Sequence, residues 1–317
     1  MSIGTVWITG ARGFIGRHLA RQLAADGAQV IGLGHGAWPA GEVAAWGLHD
    51  WMGGAVGAST LQALRARHGD PETVFHLAGG SSVGAALAAP HEDFDRTVAS
   101  TAGLLEWLRQ ECPGTRIVAA SSAAVYGAGH EGPIAESGPL RPYSPYGHHK
   151  AMMEALYRSY GTSFGVKSVV LRLFSVYGAG LRKQLLWDLC SRLEAEGGSA
   201  TLGGTGEERR DWTDVRDVVR AIALAPALAS ADVPTLNVGS GIATPVRDIA
   251  ALVVATWPAL PDPRRTRFDG TSRPGDPFSL VAEPSALHAL GFDWRVPVAR
   301  GIADYVGWFK QRATATS

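Results

Sequence analysis

The stretch Thr5-Val-Trp-Ile-Thr-Gly10-Ala-Arg-Gly13-Phe-Ile-Gly16 decides the fold. Thr5–Thr9 reads as a short apolar strand. Phe14, Ile15, Leu19 and Leu23 then recur near helical spacing, which predicts a helix over Phe14–Asp26. Between the two lies Gly10-x-x-Gly13-x-x-Gly16. Glycine lets a backbone come close to a pyrophosphate, and a helix N-terminus offers free N–H groups and a positive dipole end. A glycine triplet alone also serves tight turns. The strand–turn–helix setting is what points to a dinucleotide site, with Gly10, Gly13, Phe14, Ile15 and Gly16 as its contacts.

Outward from this turn, strand and helix alternate. Strands are predicted at Ala28–Leu33, Thr73–Leu77, Thr115–Ala120 and Lys167–Phe174, and helices at Thr60–Arg67, His91–Gln110 and Pro145–Gly161. Such βαβ spacing implies an α/β fold: a doubly wound parallel (Rossmann) sheet. After Phe174 the pattern loosens. Helices are predicted at Gln184–Glu196 and Asp214–Leu228 and a strand at Thr235–Val238, consistent with a smaller C-terminal α/β lobe. Residues 1–173 with 211–244 would form the dinucleotide domain, and 174–210 with 245–317 a substrate lobe.

Composition excludes several classes. Apolar residues make up 46% and charged residues 18%, ample for a buried core. Lys+Arg and Asp+Glu both number 29, so the basic excess of a nucleic-acid binder is missing. No run approaches a membrane span or a signal peptide, and Cys112 and Cys190 are not in a CxxC pair. A soluble cytoplasmic protein with reduced thiols and no metal is expected. Glycine is in excess, 40 of 317 against a usual share of about 7%. Many of these glycines fall at the ends of predicted strands, but those between Gly32 and Gly57 have no evident role.

The second strand ends in Gly34-His35-Gly36, where dinucleotide sites often place an acid for the ribose 2′-OH of NAD. Its absence permits NADP and tilts the cofactor, NAD(P), slightly that way. His35 is the candidate there, and Asp50 the candidate for the adenine amino group. Leu77, Ala78 and Gly79, ending the strand Thr73–Leu77, complete the cofactor contacts. Tyr146 and Lys150, four residues apart, share one face of a helix. An ammonium near a phenol favours the phenolate, and a hydroxyl in Ser121-Ser122 can bond a reacting oxygen. His148 and His149 read as surface histidines, and Trp38, Trp46 and Trp51 as a loop cluster.

At this point the chain resembles the extended short-chain dehydrogenase/reductases that act on nucleotide-activated sugars. The resemblance covers nearly the whole chain. It rests on the glycine turn, Phe75-His-Leu-Ala-Gly79, Ser121-Ser-Ala-Ala-Val-Tyr-Gly127, Tyr146-x-x-x-Lys150 and Arg172-Leu-Phe-Ser-Val-Tyr-Gly178. Further on come Arg210-Asp-Trp-Thr-Asp-Val-Arg-Asp217, Asn237-Val-Gly-Ser-Gly241 and Arg273-Pro-Gly-Asp276. It implies a hydride shuttle in which Tyr146 is the general acid/base, Lys150 holds the nicotinamide ribose and depresses the tyrosine pKa, and Ser122 binds the reacting oxygen. Ser121 would stand behind it. Ser81, Ser82, Ser175, Arg182, Arg210 and Arg273 would meet a nucleotide-diphosphate sugar. The family usually has Asn where Thr97 and Ser175 stand.

The family's 4,6-dehydratases carry Asp-Glu just after the serine position, and its decarboxylases typically carry Glu there. Here Ala123 and Ala124 follow Ser122, so an epimerase, at C4, or an NADPH-dependent 4-ketoreductase is expected. A non-catalytic dinucleotide-binding scaffold is the alternative outside enzymology. Family analogy suggests a homodimer through the helices His91–Gln110 and Pro145–Gly161.

Overall fold

A computed structural model describes residues 4–195, 199–257, 266–271 and 277–314. The chain forms two compact units. One comprises the chain up to Gly127, Glu136–Leu173 and Val219–Asn237; the other comprises Ala128–Ala135, Phe174–Val218 and the chain from Val238 on.

The first unit is built on a seven-stranded sheet. Its strands are β1 (Thr5–Thr9), β2 (Gln29–Gly34), β3 (Asp50–Gly53), β4 (Thr73–His76), β5 (Arg116–Ser122), β6 (Ser168–Leu173) and Thr235–Val238. The order is Thr235–Val238, β6, β5, β4, β1, β2, β3. β1 pairs in parallel with both β2 and β4, and β4–β5, β5–β6 and β2–β3 are parallel too. The chain therefore winds outward from β1 in one direction and then in the other. That reversal leaves a crevice beyond the ends of β1 and β4, the place where such sheets bind ligands. Val6, Ile8, Val30, Ile31, Val74, Phe75, Ile117, Val118, Val169 and Val170 are all buried, as expected of a parallel sheet covered on both faces.

The structure adds elements that periodicity missed. β3 and the short helix Ala40–Ala45 lie within the glycine-rich stretch from Gly32 to Gly57. Two of those glycines now have a reason. The Trp51 indole lies across β2, and a Cβ on Gly32 or Gly34 would sit 2.9 Å from its ring. Trp38 meets Trp51 edge-on at 5.3 Å, and Arg21 lies over Trp46 at 4.1 Å. The expected helix His91–Gln110 is a helical run, Pro90–Phe94 and Ser100–Glu111, joined by a π-helical turn at Asp95–Ala99.

In the second unit the strand Arg209–Asp214 pairs with Ser175–Tyr177, Ala243–Pro245 and Ser279–Leu280. Residues 128–135, 211–218 and 238–244, expected with the dinucleotide domain, fall in this unit. Its helices Gln184–Ala195, Val246–Thr256 and Val298–Thr314 bury Leu186, Leu189, Val253, Ile302 and Phe309. The Asp211 carboxylate, buried in this unit, accepts from the Ser240, Gly241 and Ala282 N–H groups. Among the described residues no helix is long and apolar enough to cross a membrane.

Candidate active site

The glycine turn joins β1 to the helix Phe14–Ala25. Gly10 takes a left-handed φ of +73°, and a Cβ there would sit 2.9 Å from Ala78 N. A Cβ on Gly16 would overlap Gly10 O and the Ala11 backbone. Gly13 caps the helix with no side chain, so its first N–H groups face outward without side-chain partners. Phe14 and Ile15, half-buried, form the first helical turn. This cradle has room only for backbone and offers donors. It fits the pyrophosphate of a dinucleotide.

Next to the cradle, the ends of β1 and β4 are tied together. Leu77 N donates to Thr9 O at 3.1 Å and Ala78 N to Thr9 Oγ1 at 3.2 Å. Thr9 Oγ1 lies 2.8 Å from His76 Nδ1, and His76 Nε2 lies 3.1 Å from Thr101 Oγ1. Thr101 donates to Thr97 O, and Thr97 Oγ1 accepts from Gly80 N at 2.8 Å. Thr97 thus keeps a hydrogen bond at a position where Asn is the family habit, and it does so from the π-helical turn. Burial and the Lys150 charge push the His76 pKa down to about 3. A neutral imidazole that accepts from Thr9 and donates to Thr101 satisfies every partner in this chain.

Ser122, Tyr146 and Lys150 come together beside this floor. Ser122 ends β5. Ser144 caps the helix Pro145–Phe164 by accepting from Gly147 N, and Pro145 opens its first turn. Gly147 lets that helix close on the turn after β5: a Cβ there would lie 2.6 Å from Ala124 O. Lys150 is 4% exposed, and its Nζ donates to Ala120 O at 2.9 Å and lies 6.0 Å from the Tyr146 ring centre. Burial lowers the Lys150 pKa to about 8, with Asp93 and Glu154 opposing. Burial also raises the Tyr146 pKa; the hydrogen bond from Ser122 lowers it and the Asp93 carboxylate raises it further. Desolvation is the largest of these influences on the phenol and outweighs the Ser122 hydrogen bond. Ser121 is turned the other way, donating to Glu154 Oε1 at 2.6 Å.

One pair at this site escaped the sequence. His149 is not a surface residue: its Nδ1 lies 2.6 Å from the buried Asp93 carboxylate, while His148 is exposed. Asp93 also abuts Gly80, where a Cβ would overlap its Oδ1. The only sequence signal was position, since His149 directly precedes Lys150.

Other expected contacts divide. Leu77, Ala78 and Gly79 line the floor, and a Cβ on Gly79 would lie 3.3 Å from Lys150 Nζ. His35 is exposed at the end of β2. Asp50 is corrected. It opens β3 opposite Ile31, well back from the strand ends, and its carboxylate is taken by His68 at 2.7 Å and Arg67 at 3.2 Å. This ion pair accounts for the carboxylate in the chain itself. Ser81 is exposed, and Ser82 Oγ caps the helix Val83–Ala88 by accepting from Ala85 N. Ser175, Arg182 and Arg210 belong to the second unit. There Ser175 is opposite Trp212, Arg182 lies over Trp308 at 5.9 Å, and Arg210 donates to Arg209 O and Phe278 O. Arg273 lies outside the described residues.

Residues 6–239 match the model of the NAD dependent epimerase/dehydratase family. The chain belongs to this family. It is 28% identical, over 98% of its length and 99% of the relative's, to a UDP-glucose 4-epimerase of Rhizobium meliloti. A probable UDP-glucuronate 4-epimerase of the same organism is also 28% identical, over 96% of each chain. Among solved structures, MoeE5 in complex with UDP-glucuronic acid and NAD superposes with a TM-score of 0.84, at 30% identity over 98% of this chain and all of that one. DesIV, a dTDP-glucose 4,6-dehydratase of Streptomyces venezuelae with NAD bound, superposes at 0.87 and 26% identity, over 98% of each chain. Epimerases and dehydratases of the family thus share this fold alike.

Proposed function

We propose that the protein is an epimerase of a nucleotide-diphosphate sugar, acting at C4 through a transient keto-sugar. The observation that carries this reading is the site's content: a serine hydroxyl, a phenol and a buried ammonium are gathered beside a dinucleotide cradle, with Ala123 and Ala124 where a dehydratase needs acids. Elimination of water requires such a proton donor and acceptor. Oxidation and re-reduction of one hydroxyl does not.

A nicotinamide cofactor, when bound, supplies hydride acceptance and return at the sugar carbon. Ser122 would bond the reacting oxygen. Tyr146 would take its proton as the carbon is oxidised and return it on reduction. Burial raises the phenol's pKa in the free site, and a positively charged oxidised ring bound nearby would favour its ionisation. Lys150, at about 8 and mostly protonated at pH 7, would hold the nicotinamide ribose and favour the phenolate. Arg210, Arg182 and Arg273 would grip the diphosphate and Ser81, Ser82 and Ser175 the sugar, as the resemblance implies. Related proteins bear the names of UDP-glucose and UDP-glucuronate 4-epimerases, which supports a UDP-sugar substrate.

The missing acid after β2 favours NADP over NAD and gives a second reading, an NADPH-dependent 4-ketoreductase. Incubation of the purified protein with UDP-sugars and no added cofactor separates the two. Epimer formation supports the first reading, and strict dependence on added NADPH replaces it with the second. We place the enzyme in the cytoplasm, in keeping with two unpaired buried thiols, Cys112 and Cys190. A homodimer through the helices at 91–110 and 145–161 is supported by Phe94 and Met152, large apolar residues exposed on or beside them. Sedimentation equilibrium tests it.

A further inference from the structure

We propose that Asp93 and His149 are positioning residues for Lys150. The Asp93 carboxylate supplies the negative charge that keeps the buried ammonium charged. His149 holds that carboxylate back, so the ammonium's remaining N–H groups stay open for a ligand. The inference rests on the reading of Lys150 as the group that holds the nicotinamide ribose, and it adds two residues from outside the Ser122, Tyr146 and Lys150 set.

An ammonium taken out of water needs a compensating charge. Lys150 is 4% exposed, yet it forms no ion pair among the described residues, and its Nζ donates to a carbonyl, Ala120 O, at 2.9 Å. The charges that face it are few. His76, on β4, has its pKa pushed down to about 3 and brings no positive charge near neutral pH. The helix Val83–Ala88 has no charged residue. Asp95 and Arg96, in the π-helical turn, are exposed and pair with His91 and Glu92. Tyr146 and Glu154 lie on the helix of Lys150 itself. Glu154 is buried but already neutralised: Arg172, on β6, donates to it from Nε at 3.0 Å and from Nη2 at 2.7 Å, and Ser121 Oγ donates at 2.6 Å. That leaves Asp93, 5% exposed, as the carboxylate that no arginine or lysine pairs with among the described residues.

Asp93 and Lys150 come from different helices and meet at one turn. A Cβ on Gly79 would lie 3.3 Å from Lys150 Nζ, and one on Gly80 would overlap Asp93 Oδ1. The two charges nevertheless make no direct pair. The Asp93 carboxylate is turned to His149, whose Nδ1 lies 2.6 Å from Oδ2 and whose ring meets Phe94 edge-on at 5.5 Å. A carboxylate released from that contact would be drawn to the N–H groups of Lys150, because a direct charge-assisted hydrogen bond is stronger than compensation at a distance. Asp93 raises the Lys150 pKa against the lowering by burial, as a counter-charge does.

The chain has four lysines, Lys150, Lys167, Lys183 and Lys310. NMR of protein labelled with [ε-13C]lysine therefore resolves Lys150 as the signal missing in Lys150→Arg. Titration of that signal in cofactor-free protein tests the proposal without recourse to turnover. The wild type should show a midpoint near about 8. Asp93→Asn should lower it by about one pH unit, a tenfold loss of proton affinity. His149→Phe should raise it by at least about half a pH unit, since the freed carboxylate then pairs with the ammonium. His149→Asn, whose amide nitrogen takes the place of Nδ1, should stay close to the wild type. Two variants of one pair shifting the midpoint in opposite directions is a result that a merely structural role would not produce. An unmoved midpoint in Asp93→Asn overturns Asp93 as the counter-charge. Should that variant fail to fold, no rise in His149→Phe overturns the proposal. A wild-type midpoint at the ordinary lysine value of about 10.4 overturns it too. Opposite shifts in a protein that forms no epimer from UDP-sugars would remove the proposed reaction and leave the pair standing.

Discussion

Two ends of the same crevice are built in opposite ways. Around Tyr146 the polar groups are buried and mutually satisfied. Thr9, His76, Thr101, Thr97 and Gly80 form one hydrogen-bonded chain, and Lys150 is nearly fully enclosed. Around Gly36 the groups are exposed, the strand is reduced to glycine by a tryptophan lying on it, and the charge of Arg12 stands open. The first end has the character of a preorganised reaction site, where dry surroundings strengthen each electrostatic contact. At the second, the Arg12 guanidinium is exposed and makes no ion pair among the described residues.

The sharpest test of this contrast lies at the buried end. Tyr146→Phe should cut turnover at least about 100-fold while cofactor affinity stays, since only acid–base function is removed. Undiminished turnover would remove Tyr146 from the mechanism. At the open end, Gly34→Ala should cost about 1–3 kcal/mol in chemical denaturation, because the new methyl meets the Trp51 ring. A neutral result would mean that the indole is free to move away.

The buried floor also predicts a pH dependence of stability. His76 has a pKa of about 6.5 when unfolded and about 3 when folded. The unfolded chain therefore binds the extra proton, and this contribution is complete above about pH 6.5 and is lost as pH falls toward 3. Between pH 6.5 and 5 the loss should reach about 2 kcal/mol, at the limit of about 1.4 kcal/mol per pH unit. Urea unfolding at the two values, compared with His76→Gln, checks this; equal pH slopes in the two proteins would contradict it. A smaller effect is expected from Asp93→Asn. Asp93 raises the pKa of both Tyr146 and Lys150, so its loss should lower both. The alkaline limb of kcat/KM should then move to lower pH, by up to about one unit. An unmoved profile would reduce the Asp93–His149 pair to packing.

How much of this was legible beforehand follows from where each residue sits. Gly10, Gly13, Gly16, Ser122, Tyr146 and Lys150 lie at strand ends and first helical turns, positions that local periodicity marks. His149 was misjudged because its partner, Asp93, comes from another helix 56 residues earlier. The ion pair of Asp50 with His68 and Arg67 has no local signature, because β3 is only four residues long. The contact of Arg12 with Gly36 is of the same kind: only the pairing of β1 with β2 brings the two turns together.

The sequence by itself determined the α/β class, the glycine cradle and the candidate side chains Ser122, Tyr146 and Lys150, because strand and helix periods and turn glycines are local properties of the chain. The tertiary structure alone decided which charges meet. It buried Lys150 and lowered its pKa, raised that of Tyr146, lowered that of His76 and set the Arg12 guanidinium beside Gly36. Desolvation and Coulomb interaction depend on distance through space, and spacing along the chain does not encode that.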